Sequence, residues 1–116
     1  MRITLPSGTA AEIDSSVTNP TMGLVIAPDI FGLRPLFDDL VARLAREWKM
    51  AVIAVEPFPG KELSPDVNER FAAMANVDDE INLRDLTEAA DALNIDRVGL
   101  IGFCMGGMYC FKSARS

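Results

Sequence analysis

Six residues, Val98 to Phe103, carry no polar side chain, and the chain continues Cys104-Met105-Gly106-Gly107-Met108-Tyr109-Cys110-Phe111-Lys112. An apolar run without alternation reads as a strand buried on both faces, which only a sheet covered by helices on both sides accommodates. The stretch from Met105 onward reads as a helix start, so Cys104 stands at a strand-to-helix corner. Gly102 lies two residues before it and Gly106 two after, backed by Gly107. This Gly-x-Cys-x-Gly spacing is that of a nucleophile elbow, where small residues let the chain turn sharply enough to hold a nucleophile exposed. Backbone N–H groups of the first helical turn, beginning with Met105, would point at the sulfur and at any oxyanion beside it, and a helix N-terminus favours the thiolate. The competing reading is a small buried core cysteine. Two glycines so placed around either cysteine arise by chance about once in a hundred, taking glycine at about 7%. Cys110, further along the same helix, points to another face; it can neither bridge Cys104 nor share a metal with it, and reads as packing.

Two more runs have the same character. Met22 to Ala27 is stopped by Pro28, and Met50 to Val55 is closed by Glu56-Pro57-Phe58-Pro59-Gly60, which cannot extend a sheet. Both predict central strands of a parallel sheet. The loop Pro28-Asp29-Ile30-Phe31-Gly32-Leu33 then lies at the carboxyl end of the first, where open α/β sheets place ligands, and a site is expected there. From Pro35, Leu36, Phe37, Leu40, Val41, Leu44, Ala45 and Trp48 recur at helical spacing and predict one buried face, with Trp48 in the core. Ile3-Thr4-Leu5 and Ala10 to Ile13, around Pro6-Ser7-Gly8-Thr9, predict a hairpin. Ser64-Pro65-Asp66 reads as cap, first-turn proline and favourable acid of a helix to about Ala75, and Arg70 on it as a solvated residue. A further helix from about Asp78 to Leu93 carries Leu83, Leu86, Ala90 and Leu93 on one face. Asp78, Asp79 and Glu80 at its start suit the helix dipole, and adjacent acids there diverge too much for a metal site. The order gives an α/β fold: a doubly wound, mainly parallel sheet with an N-terminal hairpin.

At 116 residues, 49% of them hydrophobic, the chain is expected to form one domain over residues 1–116, burying about two thirds of its unfolded surface. A formal charge of −6 argues against nucleic acid or an anionic membrane as partner. The opening Met1-Arg2-Ile3-Thr4 enters a strand pattern without a basic-then-apolar leader, and no apolar run is long enough to span a bilayer; a cytoplasmic location is expected. Two cysteines in incompatible geometry fit a reducing compartment. There is no histidine, the residue that normally shuttles the proton for an elbow nucleophile.

Asp29-Ile30-Phe31-Gly32-Leu33, Arg97-Val98-Gly99-Leu100-Ile101-Gly102 and Phe103-Cys104-Met105-Gly106-Gly107 together resemble the dienelactone hydrolase family of α/β hydrolases. The resemblance implies cleavage of a lactone or ester through a thioester on Cys104, with no cofactor, the oxyanion held by the N–H groups of Met105 and Ile30. Where the family usually has a glutamate that helps to control the resting protonation of the cysteine, this chain has Asp29, one methylene shorter, so a hydrogen bond to Cys104 would be lost or would run through water. The family's acid and histidine come after later strands and have no counterpart here. Arg70 lies in the region from which the family draws substrate-carboxylate ligands.

Two expectations result. The first is the N-terminal half of such a hydrolase, ending just after the elbow helix, inactive or limited to one turnover without its base. The second is a non-catalytic interaction module, whose elbow strand, Val98 to Phe103, has an unpaired edge and pairs in a homodimer through that edge or the final helix. A redox-sensing Cys104 is disfavoured, since no resolving cysteine is within reach.

Overall fold

The computed structural model describes residues 1–103. The elbow residues Cys104, Met105, Gly106 and Gly107, Cys110 and the final helix lie outside the described residues. The elements run β1 (Arg2–Thr4), β2 (Ala10–Asp14), β3 (Gly23–Ala27), α1 (Pro35–Trp48), β4 (Ala51–Val55), α2 (Val67–Ala75), α3 (Asp79–Leu93) and β5 (Val98–Gly102). They form one five-stranded sheet in the order β1-β2-β4-β3-β5. β3 pairs in parallel with β4 on one side and β5 on the other, while the β1–β2 hairpin joins antiparallel along β4. The expected fold is therefore present: three parallel strands plus the hairpin.

Alternation along the two central strands explains why they carry no polar residue. Val25 and Ala27 of β3 and Ala51, Ile53 and Val55 of β4 pack toward α3 with Leu86, Ala89 and Leu93. Leu24 and Ile26, with Val52 and Ala54, pack on the other face against Phe37, Val41 and Ala45 of α1. A strand with helices on both faces has no position left for water. Gly23 belongs to this packing: a Cβ there would stand 2.8 Å from Leu93 Cδ1.

Three expectations are corrected. β5 is an edge strand of the described residues and only half-buried, with Val98 36% exposed, so the reading of it as buried on both faces does not hold. Leu36 and Trp48, at the first and last turns of α1, are 59% and 55% exposed rather than core. Helix α2 is capped by Asp66, whose carboxylate accepts the N–H groups of Asn68 and Glu69, while Ser64 bonds the Glu69 carboxylate outside the helix. No helix among the described residues is long and apolar enough to cross a membrane.

A carboxylate clasp ties the hairpin to α3. Asp85 is 1% exposed, and its oxygens accept Ser7 Oγ at 2.7 Å, Thr9 Oγ1 at 2.6 Å, and the Arg84 guanidinium at 3.1 and 3.2 Å. One turn on, Glu88 accepts the Ser7 backbone N–H at 2.8 Å. The edge of the sheet farthest from β5 is thus fastened by charge-assisted bonds as well as by the apolar contacts of Leu5, Ala11 and Ile13.

Candidate active site

Parallel strands end at a common edge, so the segments after Ala27, Val55 and Gly102 gather at one end of the sheet. The first, Pro28 to Arg34, is a turn closed by the Gly32 N–H donating to the Asp29 carbonyl at 3.0 Å. Gly32 takes a φ of +69°, open to glycine at little cost. The Ile30 side chain is buried in the α3-side core and anchors the turn from below. Among the described residues no acceptor is bonded to the Ile30 N–H.

The Asp29 carboxylate holds this turn together. Oδ1 accepts the Phe31 N–H at 3.0 Å and Arg34 Nη1 at 2.8 Å, and Oδ2 accepts Arg34 Nη2 at 3.0 Å. Arg34 also donates to the Gly32 carbonyl at 3.0 Å and lies 5.4 Å over the Phe31 ring and 5.2 Å over the Phe37 ring. Burial alone pushes the Asp29 pKa up, but the Arg34 guanidinium and the Phe31 N–H outweigh it and hold the carboxyl below its ordinary 3.8. A depressed carboxyl pKa contributes stability that is complete above the unfolded value; here it is lost only as pH falls below 3.8 through the lower folded value. Arg34→Ala should move the Asp29 titration upward, read from its carboxyl carbon by NMR; an unchanged titration would mean that the pair does not set it.

The second segment contributes Glu56. Its Oε1 accepts the Leu33 N–H at 3.1 Å and its Oε2 the Phe58 N–H at 3.0 Å, so one side chain joins the loops after β3 and β4. From α2, Arg70 reaches back with Nε to the Ser64 carbonyl at 2.8 Å, Nη2 to the Leu63 carbonyl at 2.8 Å and Nη1 to the Ile30 carbonyl at 3.3 Å. It is a brace between loops, not a solvated helix residue. The third segment begins at Phe103, whose N–H donates to the Ala27 carbonyl at 3.0 Å and whose ring meets Phe37 edge-on at 5.5 Å. This lengthens the β3–β5 ladder by one bond, up to the residue before Cys104.

Of the residues singled out from the sequence, the structure thus gathers Asp29, Ile30 and Gly102 at one end of the sheet. Cys104, Met105, Gly106 and Gly107 fall outside the described residues, and with them any contact between Asp29 and the thiol. Sequence reading missed Arg34, Glu56 and the reach of Arg70. A usable signal for Glu56 was its place directly after a buried strand, at the same end of the sheet as Asp29.

A twisted sheet with α1 on one face, α3 on the other and its loops gathered at the carboxyl ends of β3, β4 and β5 is an α/β-hydrolase-like arrangement. The Dienelactone hydrolase family model matches residues 9–116, and the chain belongs to that family. It is 29% identical over 109 residues to a probable 2-oxo-3-(5-oxofuran-2-ylidene)propanoate lactonase of Bradyrhizobium sp., covering 86% of this chain and 43% of the relative. It is 31% identical over 104 residues to a carboxymethylenebutenolidase of Rhodococcus opacus, covering 86% and 41%. The solved structure of m3DLH superposes with a TM-score of 0.79 at 27% identity, over 99% of this chain and 53% of that one. The chain spans about half the length of the relatives it matches.

Proposed function

We propose that this chain carries the nucleophile and oxyanion donors of a lactone- or ester-cleaving hydrolase within one partial α/β-hydrolase domain. The Cys104 thiolate attacks the carbonyl carbon, forming a thioester bond. The carbon–oxygen bond of the ester breaks, and the departing alkoxide takes a proton from water. Ile30 and Met105 supply the N–H groups for the tetrahedral oxyanion, and the chemistry draws on no cofactor. The observation that carries the reading is the pinned Asp29–Gly32 turn: its Ile30 N–H has no acceptor among the described residues and stands at the end of the sheet where β5 delivers the chain to Cys104. A reducing cytoplasm would keep the thiol free. Lactonase and carboxymethylenebutenolidase relatives support an oxo-ester or enol-lactone substrate class.

This chain holds no histidine, so the step after acylation lacks its usual base. The expected result with p-nitrophenyl acetate is a burst of one nitrophenolate per chain without sustained turnover, and an acetyl group found by mass spectrometry on Cys104 and not on Cys110. Sustained hydrolysis abolished by Cys104→Ala would show that another base has been recruited. A second reading, a module that pairs with a second copy, is favoured by β5 lying at the sheet edge among the described residues, with Val98 exposed beside a groove of about 250 Å³ between α3 and β5. It gains if the burst is absent and light scattering at low micromolar concentration gives a dimer.

A further inference from the structure

We propose that Arg70 is the positioning residue for the Ile30 oxyanion donor, an assignment that rests on the Cys104 reading above. An N–H donor stabilises an oxyanion only if it is aimed before the charge develops, and a backbone donor is aimed by fixing the planes of its own and the next peptide. The peptide that contains the Ile30 N–H also contains the Asp29 carbonyl. That carbonyl is held by the Gly32 N–H at 3.0 Å, which sends the Ile30 N–H the opposite way. The next peptide is gripped at both ends: its N–H, from Phe31, by Asp29 Oδ1 at 3.0 Å, and its carbonyl, from Ile30, by Arg70 Nη1 at 3.3 Å.

The other bonds on this turn come from within Asp29 to Arg34, from Glu56 just after β4, and from the Phe37 and Asp38 N–H groups of α1, which donate to the Arg34 carbonyl. Arg70 alone ties it to α2. Nε and Nη2 donate to the Ser64 and Leu63 carbonyls at 2.8 Å each, so all three nitrogens of the planar guanidinium are bonded to carbonyl oxygens from two loops and it cannot swing independently of either. A lysine, with a single nitrogen on a flexible stem, could bond one carbonyl while leaving the others free. The backbone of Leu63–Ser64, and through it the start of α2, thus becomes part of the support for the donor. Nothing in the residue types of the 63–70 segment announced this, because all three acceptors are main-chain atoms.

Two reactions of the same thiol separate this role from a general one. Acetylation by p-nitrophenyl acetate passes through an oxyanion, whereas alkylation by iodoacetamide is a displacement at saturated carbon and does not. Both are followed on the full 116-residue chain across pH, comparing rates on the plateau where the thiol is ionised, so that any change in thiol pKa is removed. Arg70→Ala is expected to slow plateau acetylation by about ten- to a hundredfold, as for a catalytic group misplaced by about 1 Å, while plateau alkylation stays within about twofold. Arg70→Lys, which keeps the charge, is expected to fall between the two chains in acetylation and to match the parent in alkylation. The role is overturned if both reactions slow together in the folded variants, if neither slows, or if Arg70→Lys acetylates at the parent rate. If the parent chain alkylates but is never acetylated, the oxyanion reading of Ile30 fails first and takes the Arg70 role with it.

Discussion

An Asp85→Ala chain is expected to lose about 3–5 kcal/mol of stability, as for two hydrogen bonds to a charged acceptor at about 1.5–3 kcal/mol each. For a domain of this size that lowers the melting temperature by roughly 10–20 °C. The carboxylate is 1% exposed and serves Ser7, Thr9 and Arg84 at once. Truncation leaves the Thr9 hydroxyl, in a residue itself only 2% exposed, with the Ser7 hydroxyl at 3.3 Å in place of a charged acceptor. Arg84→Ala provides the contrast. Its side chain is 48% exposed, so losing that half of the cluster should cost under about 1 kcal/mol. Asp85→Asn, keeping size and one acceptor, should fall between them. Circular dichroism melts check the order, and an Asp85→Ala midpoint within about 2 °C of the parent, well under the shift expected for even 1 kcal/mol, would show that the clasp is dispensable.

Gly32→Ala should be strongly damaging for a single-methyl change, through two separate costs. A φ of +69° is unfavourable for alanine by about 1–2 kcal/mol. The added Cβ would also stand 2.5 Å from Glu56 Oε1 and 2.8 Å from Oε2, displacing a carboxylate that accepts two backbone N–H groups. Losing one such charge-assisted bond costs about 1.5–3 kcal/mol, so a total near 3 kcal/mol or above is expected. The turn that aims Ile30 is the one disturbed, and acetylation of Cys104 should slow by about a hundredfold, the scale of losing an oxyanion donor. The double variant Gly32→Ala with Glu56→Ala removes the clash but not the backbone cost, so the two changes should be clearly less than additive. Strict additivity would place the damage in the φ angle alone.

The legible part of this fold was the part governed by local pattern. β3 and β4 announce themselves because burial on two faces removes every polar position, and Pro28 and Pro57 mark where each must stop. The seven apolar positions of α1 fix the angle of its buried stripe, and Phe37, Val41 and Ala45 obey it. Periodicity says nothing about how far the helix overlaps the sheet, so Leu36 and Trp48, at its two ends, share the stripe and miss the core. β5 has the composition of a central strand, and composition alone reads as burial on both faces; the expected unpaired edge came from its place in the strand order, and among the described residues it is an edge. The site divides in the same way. The Asp29–Gly32 turn was readable as a loop at a strand end, whereas Asp85 with Ser7 and Thr9, Glu56 with Leu33, and Arg70 with Ile30 join residues far apart in sequence through groups that any surface helix or loop also carries.

The strand order has a consequence for synthesis of the chain. β3, the strand at the centre of the parallel set, finds both neighbours downstream: β4 after one helix, and β5 only once α2, α3 and the whole span to Val98 have been made. While the ribosome is still translating that span, a nascent chain can complete the hairpin, β4 and the α1 layer, yet it must carry one side of Gly23–Ala27 unpaired. That open side belongs to five residues that are all buried in the finished fold. Long-range parallel pairing of this kind closes slowly and leaves an adhesive edge exposed meanwhile. Substitutions that slow emergence of β5, or that weaken its pairing with β3 at Val98 to Gly102, should therefore reduce soluble yield more than they reduce the stability of protein that has already folded.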